Sequence, residues 1–373
     1  MKSASGTDKK LIGLFPDKGV LRWLVAVISS ILILALNFFV HVSILKFIVS
    51  GSLQPLLLAI VAIIWGVVGV YSLHHSLNFC VSLYPYEWSQ RLQHLIFIGP
   101  AITLLIWLLL LPALRTFRLS FLDKLGETFV GLENYKYVFT ERTMVLALQN
   151  TVIWVIVGTL SCVSLGLLIA ILADRSSYEK IAKIFIFMPI AVSFVAASVI
   201  WKFIYAYSPT SDTQIGLLNA INTAMGGEPK AWLTMMQPWN NYFLMAILVW
   251  MMTGFAMVMF SAAIKNVPDE SIEAARVDGA SEIKIFFAII IPYIKKTILA
   301  VTTSITIFSM RVFDAVWVMT GGQYGTDVIA TKFYKEYFTF NNSGTGSAIA
   351  MLLLVAIIPV IIMNINQGKE EEY

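Results

Sequence analysis

The chain has 373 residues, 58% of them hydrophobic and only 13% charged, with a mean hydropathy of +0.79. A soluble domain carries about 25% charged residues, so lipid must solvate much of this surface. A net charge of +4 is too small and too scattered for a nucleic-acid binder, and two cysteines found neither a disulfide framework nor a metal site.

A helix needs about 20 apolar residues to cross the hydrocarbon core. About eight runs qualify, near 22–45, 55–77, 95–117, 146–172, 184–206, 242–264, 294–317 and 346–366. The chain therefore reads as an all-α polytopic membrane protein. The first run, WLVAVISSILILALNFFVHVSIL, is longer than a signal-peptide core and reads as a retained span. An even number of spans puts both ends on one side. Lys2, Lys9, Lys10, Lys18 and Arg22 favour the cytoplasm for the N-terminal arm, and Arg175, Lys180 and Lys183 fall in a loop on that same side. The 118–145 loop, with Arg118, Lys124, Lys136 and Arg142, is then external and runs against the positive-inside tendency. Cys80 and Cys162 sit in or beside apolar runs and read as small core residues.

Between the sixth and seventh runs lies a compact polar segment, EAARVDGASEIKIFFAIIIP (273–292), within a loop spanning 265–292. Pro268 suits the first turn of a helix, where its missing N–H costs nothing. Asp269 and Glu270 place negative charge at the positive end of the helix dipole. Gly279 suits a left-handed stop, and Ser281 suits the cap of a second helix with Glu282 in its first turn. The expected product is a short helix, a glycine corner and a second helix returning to the membrane, with Glu273 at the tip and Ala274 and Ala275 keeping one face thin.

Glu273, Ala274, Ala275, Asp278, Gly279, Ala280, Phe286, Ile289 and Pro292 match the signature E-A-A-x-x-D-G-A-x-x-x-x-x-F-x-x-I-x-x-P. By it the chain resembles the inner-membrane permeases of binding-protein-dependent ABC importers, over roughly residues 95–366. FVGLENYKYVF (129–139), QNTVIW (149–154) and FDAVWVMTGGQYGTDVIATKFYKEYF (313–338) resemble sugar permeases, the last of them the α-glucoside branch. The resemblance implies residues 1–93 as a cytoplasmic arm with two additional spans, and residues 94–373 as a six-span core with a short cytoplasmic tail. It also implies that the 265–292 loop docks into an ATPase, with Glu273 in polar contact, the alanines closely packed and Gly279 at the corner. The implied partners are a second permease, two ATP-binding subunits and an extracytoplasmic solute-binding protein, in a bacterial or archaeal inner membrane. The chain itself carries no phosphate loop. It therefore binds no cofactor and performs no hydrolysis in this reading, and Mg–ATP is used by the partner subunits.

The implied solute is an α-glucoside-like sugar or osmolyte, of the maltose, trehalose, sucrose or glucosylglycerol class. Another small solute, such as glycerol phosphate or a non-glucoside oligosaccharide, stays open. A sugar presents hydroxyls around apolar ring faces, so its path calls for aromatic platforms beside hydrogen-bonding groups. Candidates are Trp154, Ser193, Trp201, Tyr205, Trp250, Thr253, Thr303, Thr306 and Ser309, although aromatics also gather at interfaces and hydroxyls also glue helices. Arg311 and Asp314, three apart, would share a helix face near the outer end of a span, either as an interfacial ion pair or as a gate or sugar contact on the substrate path. Ile329, Phe333 and Tyr337 recur at helical spacing, with Lys332, Lys335 and Glu336 elsewhere, which predicts an amphipathic outer segment. An ion-coupled secondary transporter would instead show mid-span acids in two matching halves, and a non-transporting scaffold would use the polar loop only as a handle. The sequence shows neither the acids nor the repeat.

Overall fold

The computed structural model describes residues 20–50, 54–84, 86–174, 176–209, 214–235 and 237–369. The arm charges Lys2, Lys9, Lys10 and Lys18, and Arg175, lie outside the described residues. Among those described, the regular structure is helical apart from one isolated antiparallel bridge between Leu122 and Phe129. Six helices are long and apolar enough to cross a membrane, and two bent helix pairs bring the number to eight. The chain divides into two compact units at Ala113/Leu114, within a continuous helix.

The first unit holds α1 (Val20–Val49), α2 (Pro55–Ser82) and most of α3 (Trp88–Leu119). Pro55 opens α2 where a helix lacks N–H partners anyway. Polar side chains join α1 to α2: Asn37 Nδ2 donates to Ser76 Oγ at 3.1 Å, and His41 Nε2 lies 2.7 Å from Ser72 Oγ. In lipid such bonds hold helices that the hydrophobic effect does not. Trp23 meets Tyr84 and Trp88 edge-on at 5.6 and 5.5 Å, an aromatic cluster of the kind found at a membrane–water boundary.

The second unit contains α4 (Glu133–Thr140), α5 (Arg142–Asp174), α6 (Glu179–Ala191), α7 (Phe194–Ile204), α8 (Leu217–Ala224) and α9 (Trp239–Lys265). It continues with α10 (Asp269–Val277), α11 (Glu282–Tyr293), α12 (Lys295–Met310), α13 (Asp314–Thr320), α14 (Ile329–Tyr334) and α15 (Ser343–Lys369). The centre is α9: 56% of its apolar window is buried, against none in α2. Leu244, Leu248, Ala256, Met257 and Phe260 face inward along it. Gly166 lets α5 lie directly against α9. A Cβ there would stand 2.5 Å from Ala256 Cβ and 3.0 Å from the Met257 amide nitrogen. Small residues at such crossings bring backbones into van der Waals contact, which drives association in lipid. Cys162 and Cys80 are both free and buried.

Two of the apolar runs are broken, each beside a proline. α6 tightens into a 3₁₀ turn at Met188–Ala191, where Pro189 supplies no N–H. Val192 is extended, Ser193 Oγ then accepts from Ala196 N–H at 3.2 Å, and α7 leaves at 105°. α11 widens to a π turn at Phe286–Ile290 just before Pro292 and bends 69° into α12. A separate interruption beyond α12 corrects one expectation. α12 stops at Met310 and α13 begins at Asp314, so Arg311 and Asp314 do not share a helix face. Both are exposed, and no ion pair joins them.

The ends of α5 and α9 and the start of α6 gather at one face of this unit, beside α10. At the opposite face the starts of α5, α9 and α15 are covered by α4, α13 and α14. There Asn134 Nδ2 donates to Leu122 O at 2.7 Å and Ser120 O at 3.0 Å, and Thr345 Oγ1 donates to Asn134 Oδ1 at 3.1 Å. One buried carboxamide thus ties the short bridged hairpin to α15.

Candidate functional site: the polar loop and the span interior

Pro268 precedes α10 with extended backbone, and Asp269 and Glu270 fill the first turn. The helix ends as the glycine predicts. Gly279 has φ +79°, its N–H bonds Arg276 O at 3.0 Å, and Ala280 N–H reaches back to Ala275 O at 3.0 Å. This is the Schellman pattern, which satisfies the last carbonyls of the helix. A Cβ at Gly279 would meet nothing within 4 Å. The constraint is therefore the left-handed backbone alone, about 1–2 kcal/mol for any other residue. Ser281 Oγ caps α11 by accepting from Lys284 N–H at 3.3 Å. Across the corner Arg276 Nε donates to Glu282 Oε1 at 2.8 Å. Both side chains are about half exposed, so the pair orients the corner more than it stabilises it.

The tip presents charge and oil together. Glu273, Ala274 and Asp278 are exposed, and Ala275 and Ala280 are half-buried. Val277 is 88% and Ile283 73% exposed. Among the described residues the Glu273 carboxylate has no hydrogen bond or ion pair.

Beneath the loop, a groove of about 380 Å³ is lined by Ile171, Asp174, Ile264, Ile272, Arg276 and Phe286, among others. Its edge is built on charges whose pairing the sequence reading did not foresee. Lys183 pairs with Asp174, with Glu179 at 2.6 Å and with Ser261, and Lys265 also pairs with Glu179. These groups tie the last turn of α5, the first turns of α6 and the last turns of α9. The available signal was a lysine at the edge of an apolar run, which needs an acid nearby.

The structure sorts the candidate path residues. Trp201 lies 5.2 Å from Tyr205 and 6.0 Å from Trp250, ring centre to ring centre. Trp250 and Thr253, three apart on α9, share a face. Thr253 Oγ1, Ser309 Oγ and Trp201 Nε1 are buried with no hydrogen-bond partner among the described residues, an uncommon state for polar atoms. Thr306 is half-buried on α12. The Tyr205 hydroxyl is already used, donating to Phe243 O at 2.8 Å. Trp154 is fully buried, and its indole N–H is already used, donating to Asn241 Oδ1 at 3.3 Å.

The opposite face corrects the amphipathic segment. Ile329 is buried, and Phe333 and Tyr337 are half-buried, as the spacing predicts. The charges turn inward as well. Lys335 Nζ pairs with Asp327 at 2.8 Å, Lys332 reaches it at 3.6 Å, and Glu336 is buried. Burial is the main cause that pushes the Glu336 carboxyl above its usual range. A raised acid binds its proton more tightly folded than unfolded, so its contribution favours folding at low pH and is lost as pH rises above about 4.3. Glu336→Gln should remove that slope and hold the melting temperature at pH 7 at or above wild type. Thermal unfolding of both proteins across pH checks it.

Known proteins resemble the chain along this architecture. A family model described as binding-protein-dependent transport system inner membrane component matches residues 162–368, more than half the chain. The chain belongs to this family. The permease is 50% identical over 276 residues to the osmoprotective compounds uptake permease protein GgtC of Synechocystis sp., covering 74% of the chain and 99% of that relative. It is 43% identical over 284 residues to the alpha-glucoside transport system permease protein AglF of Rhizobium meliloti, covering 76% and 84%. Its fold matches a bacterial ABC transporter involved in alginate import, with a TM-score of 0.64 at 20% identity, covering 74% of the permease and 95% of that chain. The matched family region takes in the polar loop, Trp201, Trp250 and Ser309. α1 and α2 lie outside it.

Proposed function

We propose that this permease is the membrane subunit of an ATP-driven importer of α-glucoside-like solutes, of the maltose, trehalose, sucrose or glucosylglycerol class. The observation that carries the reading is the exposed knuckle of α10, rigidly capped at Gly279, with unpartnered Glu273 beside bare Val277. It projects where the ends of three spanning helices meet. Such a knuckle suits force transmission from another subunit. In this reading two ATP-binding subunits, which hold Mg–ATP, dock on the loops of this chain and of a second, related permease. A solute-binding protein delivers cargo to the opposite face, and lipid covers the sides. The knuckle then lies in the cytoplasm, as do both termini. When the ATP-binding subunits close, the knuckles approach each other and the spans tilt as rigid bodies, exposing the path to alternate sides.

The same reading gives the orphan groups a role. A sugar ring stacked on Trp201 or Trp250 would bring hydroxyls toward Thr253 Oγ1 and Ser309 Oγ, which can each donate and accept. The names of the relatives support the solute class, one an osmoprotectant permease and one an α-glucoside permease.

The test is uptake into proteoliposomes holding the complete complex, with labelled maltose, trehalose, sucrose and glucosylglycerol offered in turn. At least one should accumulate, and only with ATP inside the ATPase-facing compartment and binding protein outside. Accumulation driven by an ion gradient without ATP would overturn the mechanism, and uptake of a pentose to the exclusion of all four would overturn the solute class.

A further inference from the structure

We infer that Tyr324 is the anchor by which the solute-binding protein docks on this permease, a proposal that rests on the importer reading above. The segment between α13 and α14 lies on the face away from the coupling loop. Gly321, Gly322 and Gly325 have φ of +62°, +73° and +71°, and between them Tyr324 itself stands at φ +57°. A bulky residue in the left-handed region is an outlier that the surroundings must enforce. Here they do so from below. Asn150 Nδ2 of α5 donates to Gly325 O at 2.7 Å and Asp327 O at 2.8 Å, and Gln237 also donates to Gly325 O. Asn240 Nδ2 of α9 donates to Tyr324 O at 2.8 Å, and Thr320 and Thr326 bond each other at 2.6 Å. A side chain at Gly322 would overlap the Asp327 carboxylate. The segment is thus a fixed platform in which the neighbours are buried or half-buried and Gln323 and Tyr324 point out, Tyr324 at 55% exposure.

Position and charge select the occupant. The platform is pinned to the first turn of α9, the most buried helix of the unit, and so sits over the bundle rather than on its lipid-facing flank. From 311 to 342 the cations Arg311, Lys332 and Lys335 balance the anions Asp314, Asp327 and Glu336, three against three. A neutral patch offers nothing to an anionic headgroup or polymer. It suits a folded protein surface with a pocket for a phenol ring and a polar rim. A tyrosine on a rigid loop makes a strong anchor because little freedom is lost on binding.

The complete complex in nanodiscs is titrated with its solute-binding protein, loaded with the glucoside that uptake selects, and ATP hydrolysis is read. Tyr324→Ala should raise the half-stimulating concentration at least tenfold, leave the plateau and the unstimulated rate unchanged, and be largely rescued in Tyr324→Phe. Tyr324→Gly deletes the same ring while relieving the backbone, so it gives the same shift without a folding penalty. An unchanged half-stimulating concentration in both deletions overturns docking alone. A lowered plateau at an unchanged concentration also overturns it, placing the ring in the solute path. Wild-type complex that ignores its binding protein overturns the importer reading and the docking site with it.

Discussion

Glu273→Ala permease should fold and insert at the wild-type level, yet support no more than about a tenth of wild-type uptake. The first half follows from exposure. Among the described residues Glu273 makes no hydrogen bond or ion pair, and substitutions at such surface positions stay within about 0.5 kcal/mol of neutral stability. The second half follows from where the charge sits. A hydrogen bond to a charged group contributes about 1.5–3 kcal/mol when its partner is removed from water, and about 1.4 kcal/mol is tenfold in an equilibrium. Under the proposed function, losing one such contact with an ATP-binding subunit is enough to unseat the knuckle while the motor closes. Glu273→Gln keeps the shape and loses the charge, so its uptake should fall between the two. The measurement is ATP-dependent uptake alongside ATP hydrolysis by the same complex. Full uptake in the alanine variant would remove Glu273 from the coupling contact.

Gly166→Val should lower the melting temperature of the purified permease by roughly 5–10 °C and leave little correctly assembled protein. Two effects oppose one another at this site. Alanine is favoured over glycine inside a helix by about 1 kcal/mol, which alone would make Gly166→Ala stabilising. Against it, even the first carbon lands 2.5 Å from Ala256 Cβ and 3.0 Å from a backbone nitrogen of α9. A backbone cannot swing aside as a long side chain can. Overpacking of this kind costs about 1–3 kcal/mol, and each kcal/mol moves the midpoint by about 2–4 °C for a domain of roughly 150–250 residues. Valine adds two more methyls to the same gap, so repulsion wins. The pair of sites gives an internal control: Gly166→Ala combined with Ala256→Gly should recover most of the loss, because the second change removes the atom that was struck. Thermal unfolding of the two singles and the double completes the cycle. Independent, additive losses would show that α5 and α9 do not meet at this point.

The loop could be read from its letters because each of its devices acts over a few residues. Gly279 and Ala280 close a helix three and five positions back, and Ser281 caps one three positions ahead. The carboxamides show the limit of that reading. Asn150 and Asn241 stand at the edges of apolar runs, where the sequence says only that each must find a partner. Asn150 finds it 175 and 177 residues away in the platform, and Trp154 finds Asn241 at a separation of 87. Lys183, Asp174 and Ser261 are a second such case, assembled from three helix ends. Nothing local selects among the possible partners, so the platform under Tyr324 was invisible until the helices were placed.

By itself the sequence determined the helical membrane class, the approximate positions of eight spans and the shape of the polar knuckle, because hydropathy and helix capping are short-range. Only the tertiary structure decided that two spans break, that Arg311 and Asp314 part company at the end of α12, and which hydroxyls in the bundle go without partners. Those outcomes depend on which backbone lies beside which, and in lipid close packing and scarce hydrogen-bond partners make that choice.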